Sequence, residues 1–144
     1  MNGILINMKQ SLASPRLAAL VATLFALPAA AQDSLSAAEF DAYTQGKTFY
    51  YGSAGAPYGG EEYLQNNRVR WSFLDGKCKE GIWYEEAGEI CFVYEDRPEP
   101  QCWTFSRNAG GLVAQYQGKL GGAPLYEIEQ RMKPMLCHGP EVGV

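Results

Sequence analysis

Gly81-Ile-Trp-Tyr-Glu-Glu86, then Ala87-Gly88, then Glu89-Ile-Cys-Phe-Val-Tyr-Glu95 is the stretch whose reading decides the fold of this chain. Two runs rich in aromatic and β-branched residues flank a two-residue break, which is the pattern of a β-hairpin. With Ala87-Gly88 as the whole turn, Glu86 faces Glu89, Tyr84 faces Cys91 and Trp83 faces Phe92. Side chains alternate along a strand, so Trp83, Ile90, Phe92 and Tyr94 share one face, and Trp103 and Phe105 join them from the next strand. The opposite face carries Ile82, Tyr84, Cys91, Val93 and Cys102. That face is too apolar to be fully wetted, and the expected cover for it is an N-terminal helix.

The helix is signalled by Leu35-Ser36-Ala37-Ala38-Glu39-Phe40. Ser36 can cap, Glu39 is placed for a capping box, and Leu35 with Phe40 for a hydrophobic staple. Gly46 stops it. From Lys47 the period becomes two. Thr48 to Tyr51 reads as a strand, Gly52 to Gly60 as a glycine-rich loop, and Glu61 to Gln65 as a second strand. Asn66-Asn67 reads as a two-residue turn into Arg68 to Phe73, where Val69, Trp71 and Phe73 share the apolar face. Asp75-Gly76 turns the chain towards the hairpin. The proline-containing link Asp96 to Pro100 leads into Cys102 to Arg107, followed by Leu112 to Gln117, a loop, and Leu125 to Met132. Six or seven short strands in an antiparallel meander are expected. Such a sheet is curled or closed into a small barrel, with the helix packed on it.

Upstream, Lys9 and Arg16 precede the apolar run Leu17 to Leu27, Pro28 and Ala29-Ala30-Ala31. This is the layout of an export signal with a small-residue cleavage site, and Met8 is an alternative start. The run is shorter than the ~20 residues of a membrane span. The expected organisation is a signal peptide over 1–31 and one β domain over 32–144. Cleavage before Gln32 offers no cysteine for lipid attachment, so no membrane insertion is expected afterwards. Losing Lys9 and Arg16 reduces twelve basic residues to ten against sixteen acidic ones, a net charge of −6 on 113 residues. That balance, with scattered basic residues, disfavours nucleic acid as a partner.

Cys78, Cys91, Cys102 and Cys137 therefore enter an oxidising compartment, periplasmic or secreted, where disulfides are expected. Cys91 with Cys102 would clip neighbouring strands, leaving Cys78 with Cys137 to tie down the tail. Cys78 with Cys102 is the rival pairing. A metal site of the four thiols with His138 lacks the close cysteine pairs that zinc favours. No cofactor or metal is expected.

Catalytic signals are weak. His138, the sole histidine, sits in a tail. Tyr51-Gly-Ser53-Ala-Gly55 has tyrosine where a nucleophile elbow needs glycine. The pairs Glu61-Glu62, Glu85-Glu86 and Glu95-Asp96 point to opposite faces within each pair and read as solvated rim charge. Nine tyrosines are more suggestive. Tyr50, Tyr58 and Tyr63 flank the glycine-rich loop, and Arg68 with Arg70 could add a fork for an anionic group. The competing reading makes the tyrosines core and pairs the arginines with Glu61, Glu62 or Glu85.

The segments Ser36-Ala-Ala-Glu-Phe40, Gly46-Lys-Thr48, Tyr58-Gly-Gly-Glu-Glu-Tyr63, Arg68-Val-Arg-Trp71, Cys78-Lys-Glu-Gly-Ile-Trp-Tyr84, Ile90-Cys-Phe-Val-Tyr94 and Gln101-Cys-Trp103, with Cys137 and Gly139-Pro-Glu-Val-Gly143, resemble a group of small exported alphaproteobacterial proteins of unknown function. The resemblance implies a periplasmic single domain and brings no activity, cofactor or catalytic residue. The leading expectation is a monomeric binding or interaction module without catalysis, engaging a small ligand or an envelope protein. A small hydrolase using cross-strand carboxylates is the first alternative. A protein inhibitor presenting a loop such as Asp96 to Gln101 is the second.

Overall fold

The computed structural model describes residues 33–138. The export signal read in residues 1–31 and the closing Gly139 to Gly143 lie outside the described residues. One helix, α1 (Ala37–Thr44), precedes eight strands: β1 (Thr48–Ser53), β2 (Ala56–Tyr63), β3 (Arg68–Ser72), β4 (Lys79–Glu86), β5 (Glu89–Tyr94), β6 (Arg97–Asn108), β7 (Gly111–Tyr116) and β8 (Leu125–Arg131). Each strand pairs antiparallel with the next, and β8 returns to β1, so the sheet closes into the expected small barrel. Among the described residues no helix is long and apolar enough to cross a membrane.

The hairpin that decided the fold forms in the expected register, with Trp83 opposite Phe92, Tyr84 opposite Cys91 and Glu86 opposite Glu89. Ala87 and Gly88 both take positive φ, 53° and 81°, as a tight two-residue turn requires. The same Ala-Gly chemistry recurs at Ala54-Gly55, which joins β1 directly to β2. The glycine-rich stretch is therefore mostly strand, not loop. Its glycines make room: a Cβ at Gly59 would overlap the Trp71 indole, and one at Gly60 would press on Tyr50 and Met135. Glycine inside a strand marks such close approach.

Two further corrections set the register and the count. Leu64 N donates to Arg68 O, and Tyr63 pairs with Val69. The connection is thus three residues, Gln65-Asn66-Asn67, with Asn66 and Asn67 at φ 60° and 56°, instead of two. The proline-containing link is also strand. Tyr94 pairs with Arg97 and Phe92 with Gln101, so Pro98-Glu99-Pro100 stand opposite Val93 in a bulge. Proline lacks the ladder donor, and a bulge is where a sheet tolerates that loss. The link lengthens β6 without adding a strand; the eight segments read from the sequence each form one, so the count is eight and not six or seven.

The helix lies elsewhere than expected. The capping box at Ser36 and Glu39 is present, but α1 plugs one end of the barrel instead of covering the outer face. Phe40 is fully buried, edge-on to Tyr63 at 5.4 Å and to Trp83 at 5.3 Å and tilted against Phe105 at 4.6 Å. Leu35 N donates to Phe105 O. The link from Gln45 to Lys47 is too short to carry the helix around to the outside of β4 and β5, whereas the open ring of aromatic side chains lies directly beneath it. Ile82 on the outer face stays half exposed.

Both preferred disulfides form, Cys78–Cys137 and Cys91–Cys102, with no free cysteine among the described residues. Cys91 and Cys102 are direct register partners on the outside of β5 and β6. Cys78–Cys137 spans 59 positions and straps the tail over β1 to β3, for which the chain-entropy account gives about 4 kcal/mol. Under the strap Thr48 Oγ1 donates to Lys133 O and Met135 N donates to Glu62 Oε2. The β7–β8 seam is short: only Val113–Tyr126 and Ala114–Leu125 pair, against six positions between β6 and β7.

Because Phe40 fills the centre of the plugged end, Phe40→Ala should destabilise the protein by about 3–5 kcal/mol. Urea denaturation followed by tryptophan fluorescence measures this; a loss below 1 kcal/mol would mean that the plug is dispensable.

Candidate functional site

Phe40 and its neighbours fill one end of the barrel, while the other end is left open. Inward positions there come from nearly every strand: Tyr51 on β1, Glu61 and Tyr63 on β2, Trp71 on β3, Phe92 and Tyr94 on β5, Trp103 and Phe105 on β6, and Ala114 and Leu125 on β7 and β8. They enclose about 80 Å³. Tyr58, Trp71 and Phe73 form a ring cluster at the mouth, with centroids 5.4 to 6.0 Å apart. Lys79 and Asp96 form an ion pair at the mouth, and Arg97 and Gln101 complete the lining.

Glu61 is the unusual member. Its register partner is Trp71, which fixes the side chain inward, and it is only 2 % exposed. Oε2 accepts a hydrogen bond from the Tyr94 hydroxyl at 2.9 Å. Oε1 has no hydrogen-bond partner among the described residues. Burial holds this carboxyl well above the usual carboxylate range, against the opposing pull of the Tyr94 hydrogen bond, because desolvation disfavours the charged form. The Tyr51 and Tyr63 hydroxyls are 3.0 Å apart. Burial raises both, as it does Tyr94, so all three hydroxyls stay protonated at neutral pH.

Glu62, one residue on, faces out. It accepts from Arg70 Nη2 at 2.6 Å and Nε at 3.2 Å, and from Met135 N at 3.1 Å. The pair Glu61-Glu62 is thus split between the interior and the strap, as strand alternation demands. Solvated rim charge describes neither of them.

The structure separates the candidate ligand-binding residues. Tyr63 sits in the cavity wall and Tyr58 at its mouth. Tyr50 points outward against the Arg131 guanidinium, 5.0 Å from its ring centroid. Arg68 and Arg70 are also outside, paired with Glu80 and with Glu62 and Glu80. His138 lies beside Gly76, to whose carbonyl its backbone N–H donates. Glu89 stands with Cys91 and Cys102 in a metal-like cluster, but both sulfurs are consumed in the disulfide. Chemically, the cavity offers aromatic faces, one acid with an unused oxygen, and phenol hydroxyls. Asp96, the second carboxylate of the lining, is held by Lys79.

Sequence reasoning passed over Glu61. The usable signal was its parity with Tyr63 and Gly59 on one strand, which places it on the aromatic side once the neighbouring loop is given three residues. No protein-family model, curated protein or solved structure matches this chain.

A raised folded-state pKa means that the native state keeps a proton the unfolded chain releases above about pH 4.5. Stability from this group is therefore complete below that pH and is lost as pH rises towards the folded-state pKa, by up to about 1.4 kcal/mol per unit. Glu61→Gln should remove that slope, so the variant gains on the native sequence between pH 5 and pH 8 in urea denaturation of the unliganded protein. Parallel pH profiles would show that Glu61 is solvated.

Proposed function

We propose that this protein is an exported binding module that holds a small, ring-bearing or similarly compact apolar ligand in the open end of its barrel. The observation that carries this is the cavity itself: an aromatic-lined space open at one end of the barrel, in a barrel of a size whose interior is either filled by side chains or holds one small ligand. Small-molecule sites combine apolar walls with a few placed polar groups, and Glu61 with Tyr94 supplies that minority here. Export to the periplasm or beyond the cell is supported by the two disulfides and by the leader read in the sequence. The reading needs no catalysis. It takes the protein as a monomer.

Trp71 and Trp103 line the cavity, so intrinsic fluorescence reports occupancy. Among benzyl alcohol, benzylamine and toluene, at least one should bind with a dissociation constant between about 10 μM and 1 mM, as suits so few heavy atoms. Ala114→Phe or the milder Ala114→Leu should fill the space and abolish binding. Arg70→Ala should leave affinity unchanged while lowering the melting temperature, since it strips Glu62 of its partner beneath the strap. Absence of binding by all three probes, or ligand loss on Arg70→Ala with the cavity variants silent, would remove the interior site.

A further inference from the structure

We infer that the cavity selects a small organic ammonium ion, with an N–H donated to Glu61 Oε1 and the carbon frame lying among the rings of Trp71, Phe92 and Trp103. This deepens the interior-site reading and rests on it.

Three observations converge. Glu61 Oε1 is a buried polar atom with no hydrogen-bond partner among the described residues, on a side chain whose register points it into the cavity. Buried polar atoms are normally satisfied, so an orphaned one beside an open space marks where a donor belongs. Aromatic side chains line the walls, and the face of an aromatic ring attracts a cation more strongly when water is excluded. Among the described residues only burial and the Tyr94 hydroxyl act on Glu61, and at the mouth Lys79 is engaged by Asp96. Ionising this acid requires a counter-charge beside it, which an ammonium guest would bring. An anionic ligand would meet the acid and the ring faces unfavourably. A neutral alcohol would gain one ordinary hydrogen bond, whereas an ammonium gains a charge-assisted bond and ring contacts together.

The proton balance follows. In the empty site burial favours the protonated form of Glu61. Entry of R–NH3+ converts Glu61–COOH into a carboxylate–ammonium pair, and one proton leaves to solvent. Affinity for the ammonium therefore rises with pH while the empty site holds its proton, by at most tenfold per unit. The ionisable groups facing Glu61 do not mimic this. Tyr51, Tyr63 and Tyr94 remain neutral phenols through that range. Asp96 is held by Lys79 and, with Arg97, lies at the mouth. Glu127 on β8 is turned to the plugged end, where it accepts from Tyr43 and from Leu112 N.

The test compares benzylamine, benzyl alcohol and benzoate by calorimetry and tryptophan fluorescence at pH 6, 7 and 8, on the native sequence and on Glu61→Gln. Benzylamine should bind on the order of tenfold or more tighter than benzyl alcohol at pH 8. It should strengthen from pH 6 to pH 8, release a proton detectable as buffer-dependent heat, and lose its advantage in Glu61→Gln. Benzoate should not bind. Should benzyl alcohol equal benzylamine in the native protein, the ammonium assignment fails while the interior site stands. Should neither bind, both fall. The comparison within the native protein decides the matter even where Glu61→Gln does not fold.

Discussion

Phe40 is the contact on which the rest of the molecule depends. A closed sheet of eight strands leaves an interior that must be filled by side chains, and strands alone cannot seal their own ends. Phe40, carried by a helix of barely two turns, meets rings from β2, β4 and β6 at once. A helix this short has little stability of its own; the ring it delivers is what holds it. Because the packing is concentrated at that end, the opposite end can keep space unfilled without losing the fold.

Adjacent residues on β2 show how one strand serves two environments. Glu62 lies beneath the tail with a guanidinium and a backbone N–H as partners, and so remains a satisfied structural ion pair. Glu61 points the other way and has a single phenol. The difference arises from pleat geometry alone, since the two residues are chemically identical. Burial with full pairing yields a fastener, and burial with half pairing leaves one carboxyl oxygen without a hydrogen bond among the described residues.

Much of this architecture was legible in residues. The Ala87-Gly88 hairpin, the capping box at Ser36 and the pairing of Cys91 with Cys102 follow from local rules, because turn chemistry and alternation act over a few positions. What was not legible depended on closure. Gly59 reads as flexibility until Trp71 is known to lie across from it. Asn66-Asn67 reads as a two-residue turn, and one further loop residue shifts the pairing by one, which exchanges Glu61 and Glu62 opposite Trp71. The candidate site was thus half visible: Tyr58 and Tyr63 belong to it, whereas Tyr50, Arg68 and Arg70 face outward through the same alternation. The helix was recognised but misplaced, because nothing local tells a helix whether a sheet will present a face or an open end.

The unequal stitching of the sheet has a mechanical consequence. With two paired positions where its neighbour has six, the β7–β8 seam is the least fastened join around the circumference, and both of its inner residues, Ala114 and Leu125, border the chamber. Local opening follows the lowest density of contacts, so this wall would part sideways before any other. A guest wider than the mouth would strain this seam first. Because Glu127 on β8 accepts from both Leu112 N on β7 and the Tyr43 hydroxyl of the helix, widening there would pull on the helical stopper as well.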